Sequence, residues 1–170
     1  VVASEAASIT HGHFLARASA AALAAILSAI AHRGATVADA VAERLEDGQL
    51  TGCGAALSDA LYLATRDDVP DLQAIHILGD GWTAIEALAV GVYCALKHPD
   101  DFNAGITAAV NHKGNSTATG AVTGAILGAR LGLAGIPAEN VEHLELRTTI
   151  DRVAEELHSE KERRTKEHEG

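Results

Sequence analysis

A chain of 170 residues is long enough for one domain with a real core. It is 48% hydrophobic but only 3% aromatic, and rich in alanine, which points to closely packed helices and away from a β-sandwich. The formal net charge of −10 disfavours nucleic acid and anionic membrane as partners, because both require a basic surface.

Taken in chain order, the residues up to Ala18 read as irregular around Thr10–Phe14, the THGHF segment. Ser19 is the expected N-cap of a helix from about Ala20 to His32, closed near Gly34. Thr36 caps the next helix, VADAVAERLED, which Gly48 ends, with Val37, Val41 and Leu45 on one face. A third helix is expected from about Ala55 to Arg66, with Leu57, Leu61 and Ala64 inward. The segment after it reads as a long connection, punctuated by Asp67, Asp68, Pro70, Gly79 and Gly81.

Thr83 and Glu86 then form a capping-box signature for a helix that carries Leu88, Val92 and Leu96 and ends near His98-Pro99. Asp100 or Asp101 starts a fifth helix through Val110. A Gly-opened polar loop and a glycine-striped helix follow. Beyond Pro137 comes a turn region, then an amphipathic helix with Ile150, Val153, Ala154 and Leu157 on one face. The polar tail from His158 is expected to fray. No strand alternation persists, so the expected class is all-α, with a helical domain over residues 1–158 and a charged tail at 159–170.

Arg17, His32 and Arg130 interrupt the longest apolar runs, so no membrane span is expected. No charged-then-apolar leader opens the chain. Cys53 and Cys94 sit in apolar helical contexts and are expected as buried free thiols, which fits a reducing, cytoplasmic setting. The chain starts at Val1 and contains no Met, which leaves open that it belongs to a longer polypeptide.

Gly120, Gly124, Gly128 and Gly132 recur every four residues, so they share one helix face. Each costs roughly 1 kcal/mol of helix propensity relative to alanine. The simplest return is another helix backbone approaching closely across the bare strip. The preceding loop clusters the oxygens of Asn115, Ser116, Thr117 and Thr119 at a helix start, where free N–H groups favour polar ligands. It is neither a P-loop nor a GxGxxG turn. An N-cap with spare hydroxyls and a ligand site are both open on this chemistry.

The order of features carries more than any one of them. THGH (Thr10–His13) leads into an Ala-rich helix, and GDGW (Gly79–Trp82) into TAIEALAVGVYCAL. DDFNAGITAAVNHKGN then runs into GAVTGAILGARLG and Ile136-Pro137. This succession, from about Ile9 to Leu157, resembles the C-terminal half of the ADP-ribosylglycohydrolase family. The resemblance implies an all-α fold, an orthogonal helical bundle, and two divalent cations, magnesium or manganese, that bind ribose hydroxyls and a water. It implies hydrolysis at an anomeric carbon, with ADP-ribose or an ADP-ribosylated target as substrate.

The resemblance also marks departures. The family's second metal motif, Gly-Asp-x-Asp followed by a hydroxyl residue, aligns on Gly114, Asn115, Ser116, Thr117 and Ala118. Asn115 and Thr117 thus stand at metal-ligand positions with neutral oxygens, although hard cations are held by carboxylate charge. Gly114, Asn115 and Ser116 are the expected ligand-binding residues of the loop. The family's first metal motif, a Thr-Asp-Asp cluster, has no match; Thr65-Arg66-Asp67-Asp68 reads as a solvated turn. His11 corresponds to the family histidine beside the ADP-ribose site, so it is a candidate ligand contact, with a loop-tying role as the alternative. His11 and His13 form an HxH without a visible third zinc ligand. His112 is placed to line the same cleft, and Trp82 and Glu86 are better explained by packing and capping.

The expected function is therefore an ADP-ribosylglycohydrolase-like domain with impaired hydrolysis as this chain alone, with magnesium, manganese or no metal bound. One alternative is an active hydrolase completed by a missing N-terminal half. The other is a non-catalytic all-α interaction module. A half-fold leaves apolar surface uncovered, so self-association or a completing partner is expected.

Overall fold

The structure, a computed structural model, describes residues 2–46 and 52–169, with side chains described up to residue 160. Helices and turns make up the described residues, and no strand occurs among them. The chain divides into two compact units, Val1–Gly135 and Ile136–Gly170.

In the first unit the sequence signals set most helix ends. Helix α1 spans Val2–Ser8 and α2 spans Phe14–Arg33, so helix occupies most of a stretch expected to be irregular. The N-cap of α2 is His13, whose Nδ1 accepts from the Leu15 amide at 3.3 Å. Ser19 is not the cap. It lies inside the helix, buried, and its hydroxyl donates to the Leu15 carbonyl at 2.8 Å. That back-bond satisfies a serine in mid-helix without ending it. Gly34, at φ 66°, closes α2 as expected.

Helix α3 (Val37–Glu46) is capped by Thr36, whose hydroxyl oxygen accepts from the Asp39 amide at 3.1 Å. Its expected stop at Gly48 lies outside the described residues. Helix α4 covers Gly54–Ala64. The supposed connection after it contains α5, Asp71–Leu78, entered through Pro70 and closed by Gly79 at φ 108°. Proline serves here as a helix-entry residue rather than a breaker.

The core is organised around α6, Ala84–Lys97. Thr83 and Glu86 form the full capping box. Every residue from Ala87 to Ala95 is buried. Around α6 pack α2, α3, α4, α5, α7 (Phe102–Val110) and α8 (Ser116–Leu131). Asp101 caps α7 by accepting from the Ala104 amide at 2.9 Å.

The close helix approach falls elsewhere than the glycine stripe. A Cβ on Gly91 of α6 would lie 2.7 Å from Val122 Cβ and 3.2 Å from the Thr123 amide, so α6 and α8 meet at Gly91. One on Gly105 of α7 would come within 2.6 Å of Leu127. Along the stripe, a Cβ at Gly120 would meet Val110 at 2.8 Å and one at Gly124 would meet Ile106 at 3.5 Å. At Gly128 it would meet nothing within 4 Å, and Gly132 is the C-cap of α8 at φ 65°. The stripe therefore accommodates side chains of α7 at one end and opens outward at the other.

Helix α2 has 20 residues, mostly apolar, and is only partly buried. Arg17 and His32 thus do not prevent it from being long and apolar enough, by length and composition, to cross a membrane. A soluble core helix passes the same test, and Ala22, Ile26, Ala29 and Ile30 do pack into the core.

In the second unit, Ala138–Glu142 forms a short helix, α9, and Arg147–Glu169 forms α10. The helix runs on through the polar tail, where fraying was expected. Its apolar edge forms, but Ile150, Val153 and Leu157 are exposed.

The loop at the head of α8 as candidate functional site

The loop that leads into α8 is seated on the turn between α5 and α6. In that turn Gly79, Asp80 and Gly81 all have left-handed backbones, at φ 108°, 59° and 81°. Glycine tolerates this freely, and aspartate is among the few other residues that do. The turn aims the Asp80 carbonyl at the loop, where it accepts from the Asn115 amide at 2.9 Å. Gly114 lies flat against the same peptide; a Cβ there would overlap the Asp80 carbonyl, with Asp80 C only 2.6 Å away. Gly81 fits under Thr119 in the same way, since its Cβ would stand 2.5 Å from Thr119 Cγ2.

His112 braces the loop from inside. Its Nδ1 accepts from the Gly114 amide at 3.0 Å, which leaves the proton on Nε2. Nε2 lies 2.9 Å from the Ala109 carbonyl and 3.0 Å from Thr119 Oγ1. Thr119 is fully buried and donates to the same Ala109 carbonyl at 2.6 Å. His112 is thus a structural brace whose two ring nitrogens are both engaged.

Asn115 is the N-cap of α8, and its side-chain oxygen accepts from the Ala118 amide at 3.2 Å. Ser116 is half-buried and Thr117 exposed on the first turn. The structure thus gathers Gly114, Asn115, Ser116 and Thr117 in one loop. His11 is exposed in the link between α1 and α2, with its Nδ1 2.9 Å from its neighbour Thr10 Oγ1. No described hydrogen bond ties it to the α8 loop. His13, its partner in the HxH pattern, uses Nδ1 as the α2 cap.

Beside the loop lies a groove of about 890 Å³ whose lining includes Pro70, Leu72, His76, Asp80, Val110 and Lys113. Sequence reasoning missed Asp80 as a loop-seating residue. The signal was present as a lone non-glycine between two glycines. Its meaning depends on a contact 35 positions away, between Asp80 and Asn115.

The donor set does not fit a pair of hard dications. Among the described residues no group of three or more His, Cys, Asp or Glu side chains is placed to hold a metal. At the aligned motif, Asn115 Oδ1 is taken by the Ala118 amide and Thr119 Oγ1 is buried in its own bonds. The hydroxyls of Ser116 and Thr117 are neutral, and magnesium gives up its waters chiefly to carboxylates and phosphates. Asp67 and Asp68, in the turn after α4, bond Lys97 and Arg66 at the surface.

Fold and loop together define an all-helical domain with its polar site at the head of a small-residue helix. A family model described as ADP-ribosylglycohydrolase matches residues 1–167, and the chain belongs to that family. Members act on ADP-ribosylated substrates and are in general metal-dependent. Searches of curated proteins and of solved structures gave no match.

Proposed function

We propose that this chain is an ADP-ribosylglycohydrolase-family domain that binds ADP-ribose or an ADP-ribosylated target and, by itself, hydrolyses it poorly. The observation that carries the reading is the use of Asn115. An aspartate at the aligned position would bring charge to a cation, whereas the Asn115 oxygen caps its own helix at 3.2 Å from the Ala118 amide. The Ser116 and Thr117 hydroxyls offer neutral hydrogen-bonding groups of the kind that suit sugar hydroxyls. Calorimetric titration with ADP-ribose, with and without Mg²⁺ or Mn²⁺, tests it. Binding that is indifferent to either metal is expected, with no ADP-ribose released from a modified protein. Metal-dependent turnover by the isolated chain would overturn it. Absence of any ADP-ribose binding would favour a non-catalytic interaction module.

A second reading, an active hydrolase completed by another polypeptide or a second copy, is favoured by α2. This largely apolar helix is only partly buried and carries Phe14, which is 60% exposed, at its start, and apolar surface of this kind is what partners cover. Solution mass distinguishes the two, because a clean monomer at high concentration counts against self-association.

A further inference from the structure

We infer that the loop from His112 to Thr117 keeps its shape without a divalent cation, and that the His112 ring and the Asp80 carbonyl are its positioning groups. The inference rests on the reading of this loop as the site. A hard-cation loop is organised by carboxylates converging on the ion, and binding of the ion contributes to the folding of such a site. Here backbone amides of the loop and of the first turn of α8 are satisfied by the protein instead. The Gly114 amide donates to His112 Nδ1 at 3.0 Å and the Asn115 amide to the Asp80 carbonyl at 2.9 Å. The Ala118 amide donates to Asn115 Oδ1 and the Thr119 amide to the Asn115 carbonyl.

The imidazole therefore ties the last turn of α7, at the Ala109 carbonyl, to the loop at the Gly114 amide. This requires the neutral ring with its proton on Nε2. Gly114 completes the seat, because any larger residue would collide with Asp80.

NMR of the full, isotopically labelled chain tests this through the loop amides and the His112 ring nitrogens. Without added metal, the amides of Gly114 and Asn115 are expected to be visible and protected from exchange. His112 is expected to show Nε2 protonated and Nδ1 accepting. Millimolar Mg²⁺ should leave these signals in place, and Mn²⁺ should not broaden them selectively. His112→Ala should speed exchange of the Gly114 amide about tenfold, the worth of one lost hydrogen bond. His112→Asn, whose oxygen can stand in for Nδ1, should restore most of that protection. Should His112→Ala fail to fold, His112→Asn and the metal titration of the unaltered chain still decide. Loop signals that emerge only with Mg²⁺, or selective Mn²⁺ broadening at Asn115 and Thr117, would overturn the inference. An ordered, metal-indifferent loop that binds no ADP-ribose would instead sink the functional reading and leave this one standing.

Discussion

The hydroxyl of Tyr93, buried at the centre of α6, donates to Oδ1 of Asp71 at 2.6 Å and so ties the first turn of α5 to the core. The second oxygen of the same carboxylate meets His98 Nε2 at 2.9 Å. Helix α5 carries the Gly-Asp-Gly turn at its end, so this carboxylate sits behind the placement of the α8 loop.

Burial pushes the Asp71 carboxyl upward, but the bonds from Tyr93 and His98 outweigh it and hold the group below its ordinary value of 3.8. The folded state therefore favours the ionised form. Its contribution to stability is complete above that ordinary value and is lost as the pH falls through the lower, folded one. Tyr93→Phe should cost about 1–3 kcal/mol at neutral pH by leaving Asp71 short of a donor. It should also flatten the loss of stability in acid, as read by urea unfolding across the acid range. An acid limb identical to that of the unaltered chain would show that Tyr93 does not set the Asp71 ionisation.

The glycines of α6 and α8 should respond oppositely to alanine. Gly91→Ala forces a methyl against Val122 and the Thr123 amide, and overpacking of this kind costs about 1–3 kcal/mol. Gly128→Ala meets no atom within 4 Å and should gain up to about 1 kcal/mol of helix propensity. Thermal unfolding of the two variants reads the difference in sign. A stabilised Gly91→Ala would mean that α6 and α8 do not approach as described.

Glu86 accepts from the amides of both Trp82 and Thr83, at 2.8 and 3.3 Å, while Thr83 accepts from the Glu86 amide. Thr83→Ala should cost about 1 kcal/mol, the usual worth of an N-cap. Because the same turn seats Gly114, the cost should come with faster amide exchange at Gly114 and Asn115. A loss of stability with unchanged exchange there would confine the effect to α6.

Burial, with the nearby Asp71 charge adding to it, pushes the Cys94 thiol up to about 12, so almost no thiolate exists at neutral pH. Cys53 is also fully buried. Neither should react with iodoacetamide in the folded chain at neutral pH, and both should react after denaturation. Mass spectrometry of the alkylated protein reports the outcome directly. Rapid native labelling of Cys94 would contradict its place in the core.

The sequence was informative wherever a signal is local. Thr36, Asp101 and the Thr83–Glu86 box each name a helix start, because a cap acts within one turn of itself. The glycine-opened loop at Gly114 was visible for the same reason, whereas the burial of every residue from Ala87 to Ala95 went beyond the Leu88, Val92 and Leu96 that the sequence picked out. Helix α5 was not, because eight residues between Pro70 and Gly79 give too few turns for periodicity to outweigh the punctuation at both ends. The α2 start was misplaced because Ser19 is an ordinary N-cap residue by type, and only its bond to the Leu15 carbonyl shows it inside the helix.

By itself the sequence determined the all-helical class, the main caps, the family likeness and the absence of carboxylates at the aligned metal positions. These are matters of residue type and short spacing. Only the tertiary structure decided that Gly91, rather than the stripe, brings α6 and α8 together. Only it showed that the α8 loop rests on Asp80 and is braced by His112. Close approach and hydrogen bonding across 35 positions depend on where separate helices pack, and no local pattern encodes that distance.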